Sequence, residues 1–458
     1  MDNNKQLRCP HCNSSDIIPC DNGKLKCRYC SFEFEDKVLE GINIDPKVLN
    51  DHYRGLSTYE IDDKDIVTYK CYNCGAEVVL NIKDTDYRCH WCHSVLSSSN
   101  KIDNGYSPDM ILPFKISKED ARRKMEKFVK KRRMFANRKF KKAFKKDNIM
   151  GVYFPYMVVD FNCHAFYSGE GEIQLKKYSY GRSENSVTYY DANVYKVIRE
   201  FDISISDFVI EANSQRLDSY NKGATNNIIN SILPFDTENC VKFKSNYLIG
   251  YSSEKRDLSA EDLEDAVEKR LKDIIRLEAS MDAKQYDRGV NWEKEELDVK
   301  GSQWLSAYLP VWLYSYEVKR WKKKTIHFIA VNGRTGEIMG SIPIAKILLL
   351  FISTVAELLA IAFFIEYIYF SLYPEKITFI SSLLVFLLLL IGPAIYKTIN
   401  YFYRNNSAKH KYEKETKNEI SNLVKTDEFK YKREGLTTEK IFGCNTDILK
   451  GEYIRIKK

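Results

Sequence analysis

Two matched sets of cysteines are the residues in this chain whose type and spacing most clearly imply chemistry. Cys9-x2-Cys12 is followed, after fourteen intervening residues, by Cys27-x2-Cys30; Cys71-x2-Cys74 is followed at the same gap by Cys89-x2-Cys92. Zinc prefers four soft donors at the corners of a tetrahedron. One C-x2-C turn supplies two thiolates and a short hairpin brings a second pair opposite. The spacing therefore predicts two closed zinc ribbons with Cys9, Cys12, Cys27 and Cys30 as one ligand set and Cys71, Cys74, Cys89 and Cys92 as the other. Four thiolates leave no open position for water or substrate, so both Zn2+ ions are expected to be structural. A disulfide framework would use the same residues. Against it, Met1-Asp2-Asn3-Asn4-Lys5 leads into no apolar signal core, and C-x2-C pairs in a reducing compartment more often hold metal. His11, His90 and His93 flank the knuckles and could replace a cysteine, but read more simply as surface residues of the ribbons; Cys20, Cys163, Cys240 and Cys444 read as non-ligands.

The elements that must position these sites are of mixed kind. The chain has 458 residues, room for about three domains, with a net charge of +8. Its mean hydropathy of -0.42 hides two apolar runs, Ile347–Ile365 with Glu357 as the single charge and Ile377–Ile395 with none. Each is long enough to cross a hydrocarbon core of about 30 Å as a helix. A charged Glu357 costs roughly 2.5–3.5 kcal/mol at mid-membrane, while about thirteen Leu, Ile, Phe and Val residues return roughly 4–8 kcal/mol, so insertion wins. Basic residues flank the pair (Arg334, Lys346, Lys397, Arg404, Lys409, Lys411) against Lys376 alone in the turn. The positive-inside rule then predicts a two-pass protein of the cell membrane with both termini cytoplasmic.

The expected fold class is an α+β multidomain membrane protein: two zinc ribbons, a duplicated α+β region and a C-terminal transmembrane helical hairpin. The segments run 1–36 (first ribbon), 37–66 (linker), 67–99 (second ribbon), 108–230 and 231–342 (two α+β modules), 344–397 (hairpin) and 398–458 (charged cytoplasmic tail). The duplication rests on three recurrences in the same order. Ile111-Leu112-Pro113-Phe114 returns at Ile232–Phe235, Ser117-Lys118-Glu119-Asp120 at Ser259–Asp262, and Tyr153-Phe154-Pro155 at Tyr308-Leu309-Pro310. Leu263, Val267, Leu271, Ile274 and Ile275 mark one apolar helical face. Asn332-Gly333-Arg334-Thr335-Gly336 reads as a hairpin turn rather than a phosphate loop.

Between Lys118 and Asp147 there are fifteen Lys or Arg against four acids, with Phe128, Phe135, Phe140 and Phe144 interleaved. Lys130, Lys131, Arg132, Arg133, Lys141, Lys142, Lys145 and Lys146 are candidates for contact with lipid or with nucleic acid, against a plain solvated helix face. Glu357 is the candidate intramembrane polar site, read as serving assembly with a polar partner helix rather than an ion path, against a plain protonated side chain hydrogen-bonded to Ser381 or Ser382 across the hairpin. No GxxxxGK[ST], HExxH or GxSxG motif occurs, and no catalytic constellation is visible, so no enzymatic activity is expected.

The paired ribbons together with ILPFKISKEDA, GVYFPYMVVDF, ILPFD, YLIGYSSE and YLPVWLYSY ahead of an apolar hairpin resemble bacterial TFIIB-type zinc-ribbon membrane proteins. Such proteins are often labelled primosomal-helicase-like; this chain lacks any ATPase loop. Some similar proteins are associated with membrane stress and recruit phage-shock-type and SPFH-type proteins. The resemblance implies a membrane-held zinc-ribbon adaptor with cytosolic protein partners and membrane lipids around it; a homo-oligomer is compatible with it. The alternative expectation is a membrane-tethered nucleic-acid binder using the ribbons and the 118–147 segment.

Overall fold

The computed structural model describes residues 7–457 other than 21, 43, 56–59, 62, 145–147, 181–186, 216–231, 233–234, 282, 288, 321–322, 341, 372–389, 405–428 and 440–445. The first ribbon forms its own antiparallel sheet from β1 (Ile17–Pro19), β2 (Leu25–Cys27) and β3 (Glu33–Phe34). The remaining strands form one 14-stranded sheet. They are β4 (His52–Arg54), β5 (Ile66–Lys70), β6 (Glu77–Asn81), β7 (Lys101–Ile102), β8 (Met110–Ile111), β9 (Ile149–Tyr180), β10 (Val187–Glu211), β11 (Val241–Lys242), β12 (Ser252–Glu254), β13 (Val290–Arg320), β14 (Lys323–Asn332), β15 (Ile338–Gly340), β16 (Phe429–Glu439) and β17 (Thr446–Lys457). Its spine runs β11-β8-β13-β9-β12-β6-β5-β7.

The long central strands β9 and β13 are covered on both faces, which is why GVYFPYMVVDF is a continuous apolar run instead of an alternation. On one face Met157, Val159, Phe161 and Cys163 meet α3 (Ala260–Met281), whose stripe of Leu263, Val267, Leu271, Ile274 and Ile275 is buried there. The same face, nearer the start of β9, holds Tyr153 against α1 (Lys118–Lys131) and the first ribbon. On the other face Val152, Phe154, Tyr156 and Val158 pack with Cys71, Cys89 and Trp91 of the second ribbon.

The sheet has an internal near-twofold arrangement about the β9–β13 pair. Tyr153 faces Pro310 and Pro155 faces Tyr308 across it. On the outer edges β8 pairs in parallel with β13, Ile111 opposite Tyr308, and β12 pairs in parallel with β9, Ser253 opposite Tyr153. Six residues after each of these, Ser117 and Ser259 cap helices α1 and α3 by accepting from the N–H of Asp120 (3.1 Å) and Asp262 (3.2 Å). Each half thus lends its short strand to the long strand of the other. The regions 108–230 and 231–342 thus exchange strands, and within the sheet the position equivalent to Ile111 is held by Ser253 rather than by Ile232.

Two other expected boundaries are absorbed into the sheet. In the 37–66 segment, Val38 bridges to Val241 and β4 pairs with β13, so it is not a free linker. In the polar 97–107 stretch, β7 pairs with β5 and the Tyr106 N–H donates to the Arg256 carbonyl (2.9 Å). The charged 398–458 tail includes β16 and β17, which extend the sheet from β10.

After β15 the chain enters α4 (Lys346–Ser371), 26 residues and about 39 Å at 1.5 Å per residue. Lys346–Tyr367 is the one helix among the described residues long and apolar enough to cross a membrane. Most of it faces outward: Ile347, Phe351, Leu358, Phe363 and Ile365 are all exposed, which a core helix would not allow. The second expected span, 377–395, falls mostly outside the described residues. Its end forms the start of α5 (Ile391–Arg404), which lies against α4 through Gly392, next to Ser353 and Glu357. Pro393 sits in the first turn of α5, where its missing N–H costs no helix bond, so it does not kink the helix.

Candidate metal centres

Each ribbon is built from two copies of one local device. In the first, the Asn13 N–H donates to the Cys9 carbonyl (2.8 Å) and the Ser31 N–H to the Cys27 carbonyl (2.9 Å). In the second, the Gly75 and His93 N–H groups donate to the carbonyls of Cys71 and Cys89, both at 2.8 Å. The donor in every case comes directly after the second cysteine of its pair and sits in the left-handed region, with φ of 59° at Asn13, 60° at Ser31, 78° at Gly75 and 58° at His93. Only Gly takes that conformation without steric cost. Asn13, Ser31 and His93 hold it because the turn must fold both sulfurs of a pair to one side.

The result is two clusters in which all four sulfurs lie within 4.8 Å of one another. Cys9 and Cys30 sulfurs are 3.5 Å apart and Cys12 and Cys27 3.6 Å; Cys71 and Cys92 are 3.4 Å apart and Cys74 and Cys89 3.6 Å. A disulfide requires about 2.05 Å. A tetrahedron of sulfurs around one ion at a metal–sulfur distance of about 2.3 Å has edges of roughly 3.8 Å. The clusters fit a four-thiolate metal ion and do not fit disulfides. Backbone N–H groups of Cys30 and Tyr29 aimed at its sulfur lower the Cys27 thiol to about 7, while burial and the neighbouring thiols raise Cys12 and Cys30.

The histidines beside the knuckles stay outside both clusters, but for different reasons. His11 is exposed and stacks on Phe32 at 5.5 Å between ring centroids. His90 is 0% exposed, against the expectation of a surface residue. Its Nδ1 is 3.1 Å from Ser252 Oγ, and its carbonyl accepts from Ser315 Oγ (2.7 Å). Next to it the Trp91 Nε1–H donates to Glu254 (2.7 Å), and the indole meets Phe154 and Phe328 edge-on at 6.1 Å. His93 Nε2 reaches the Ser315 carbonyl at 3.1 Å. Cys89-His90-Trp91-Cys92-His93 is thus a plug seated in the large sheet. The sequence showed the four-cysteine spacing but not the plug, whose hydrogen-bond partners lie more than 150 residues away.

The first ribbon is attached more lightly. Ile17, Leu25 and Cys27 point into the core beside Tyr247 and Leu248, and the Asn246 amide donates to the Ile17 carbonyl (3.1 Å). Its other side carries Tyr29, 82% exposed, and the ladder His11–Phe32–Phe34, the two Phe rings 6.4 Å apart. Sequence alternation in Ser31–Glu35 gave the strand but not this outward aromatic face.

Of the basic candidates, Lys130, Lys131, Arg133 and Lys142 are exposed, whereas Arg132 and Lys141 are half-buried. Arg132 lies over the Phe128 ring at 3.8 Å. Lys145 and Lys146 lie outside the described residues. Phe128, Phe135 and Phe140 are buried in the core. Glu357 accepts from the Gly392 N–H (2.9 Å), so its carboxylate caps the first turn of α5, where the helix dipole favours negative charge. Ser381 and Ser382, its expected partners, lie outside the described residues. Arg334, counted as a membrane-flanking charge, instead forms a paired contact with Asp236 (2.7 and 2.5 Å) at the β14–β15 turn.

No protein-family model matches the chain, and no solved structure matches it. Over 344 residues it is 23% identical to YdjG of Bacillus subtilis (strain 168), an uncharacterized protein, a match covering 74% of this chain and 90% of YdjG.

Proposed function

We propose that this chain is a non-catalytic scaffold that holds cytosolic proteins at the inner face of the cell membrane, with one structural zinc ion in each ribbon. The observation that carries the reading is the opposition between its two ends. One is a closed four-thiolate ribbon with an outward aromatic face; the other is a long helix whose apolar side chains stand exposed. Closed thiolate sites leave no ligand position for catalysis and replace a core that a ribbon of about 30 residues is too short to build. The contact of α5 with α4 at Gly392 and Glu357 brings the chain back alongside the first span, as a return to the same side requires, and the surplus of basic flanking residues favours the cytoplasmic side. The resemblance to zinc-ribbon membrane proteins directs the recruited class toward membrane-stress proteins.

The docking face of this reading is Tyr29, Phe32 and His11. Exposed aromatics of this kind are the side chains that dominate protein interfaces. The experiment is site-directed photocrosslinking from position 29 in native membranes, comparing wild type with Phe32→Ser. A defined protein adduct that is lost in Phe32→Ser, with metal content unchanged, is expected. Adducts to nucleic acid alone, or an adduct indifferent to Phe32, would contradict the scaffold reading.

A further inference from the structure

We infer that the corner between α1 and α2 (Arg138–Ala143) is a docking surface for anionic phospholipid headgroups at the foot of α4. The inference rests on α4 lying in a membrane, as proposed above, and adds the class of lipid that the protein selects. Two backbone hydrogen bonds, which together make the Ala136–Ile344 bridge, fix the corner to the start of that helix. The Asn137 N–H donates to the Pro343 carbonyl (2.7 Å) and the Ala345 N–H donates to the Phe135 carbonyl (2.7 Å). Phe128, Phe135 and Phe140, all buried, clamp the corner from below. It therefore cannot swing away from α4.

The next residues along the chain are Lys346, which opens α4, and Ile347, 87% exposed. Apolar surface suited to the bilayer thus begins within one helical turn of the corner. On the corner itself Lys130, Lys131, Arg133 and Lys142 face solvent. Arg122 and Arg123, about two turns before Lys130 in α1, are taken up by Glu119 and Asp120. No carboxylate among the described residues pairs with the four corner cations.

A second observation points to the same ligand. Met134, between Arg133 and Phe135, is 69% exposed at the tip of the turn. An apolar side chain framed by cations, at the level where a bilayer surface would lie, suits the boundary between headgroups and acyl chains. Nucleic acid would be drawn by the charges but has no use for Met134 or for the rigid tie to α4.

The test is native mass spectrometry of the full-length protein released from micelles containing equimolar phosphatidylglycerol and phosphatidylcholine. At least fivefold enrichment of phosphatidylglycerol adducts is expected for wild type. The variant Lys130→Glu/Lys131→Glu/Arg133→Glu/Lys142→Glu should fall to about onefold while keeping two metal ions per chain. Equal adducts of both lipids on wild type, or an undiminished preference in the variant, would overturn the inference. So would binding of a labelled single-stranded oligonucleotide that the variant loses while the wild type shows no lipid preference. Extraction with alkaline carbonate separates the two readings. A chain that stays in the membrane but shows no lipid preference defeats this inference alone; a chain that washes off defeats the membrane reading with it.

Discussion

The two ribbons share ligand spacing, sulfur geometry and the left-handed residue after each C-x2-C pair, yet the protein uses them oppositely. The second is continuous with the large sheet: β5 and β6 are two of its strands, and His90 and Trp91 are buried in its core. The first has a sheet of its own, meets the body through Ile17, Leu25, Cys27, Asn246 and the Asp36–Lys244 ion pair, and turns Tyr29 and one side of Phe32 outward. The same four-cysteine unit is a plug in one place and a hairpin with one solvent-facing side in the other. The difference lies in the two residues enclosed by each second knuckle: His-Trp between Cys89 and Cys92, Arg-Tyr between Cys27 and Cys30.

That contrast breaks first at Trp91. Trp91→Ala empties a buried site and leaves Glu254 without its indole donor, so a loss of about 3–5 kcal/mol in unfolding free energy is expected. Phe32→Ala, the corresponding truncation on the first ribbon, should cost only about 1 kcal/mol because its ring is 43% exposed and is covered mainly by His11 and Phe34. Denaturant melts of the two variants side by side check this; equal losses would mean that the ribbons are embedded alike.

A smaller effect sharpens the join between the second ribbon and the body. Asp84, just after β6, accepts from the Gly250 N–H (2.6 Å), and burial raises its carboxyl from 3.8 to about 6. Because the folded value is the higher one, folding takes up a proton between these limits. The group therefore destabilises the fold as pH rises through that window and contributes nothing below it. Asp84→Asn keeps the acceptor and removes the charge. Its melting temperature should exceed that of wild type at pH 7.5, by the equivalent of about 1 kcal/mol after solvent screening, and the gap should narrow at pH 5. A gap that widens toward acid would show that the carboxylate is favourably held.

The two four-cysteine clusters were legible because their spacing is a local property, set by a turn and a hairpin. The helix caps at Ser117 and Ser259 and the apolar stripe of α3 were legible for the same reason. Pairings between distant segments escaped. Ser253 lies opposite Val79, 174 residues away, and this contact turns the second ribbon into part of the sheet. His90 looked like a surface residue because nothing near it in sequence shows the serines that receive it. The halves looked like successive modules because a repeated pattern does not reveal that each exchanges a strand with the other. Arg334 looked like a membrane-flanking charge until Asp236, 98 positions earlier, was found beside it.

The central claim, two closed thiolate sites embedded to unequal depth, is tested most directly by timed metal release. Purified full-length protein is treated with a chromogenic chelator while metal release and circular dichroism are followed together. Two equivalents of zinc per chain are predicted, the first leaving quickly with the sheet signal intact and the second only as the sheet melts. Fewer than two equivalents, or two ions leaving in one phase with no change in the sheet, would contradict the account.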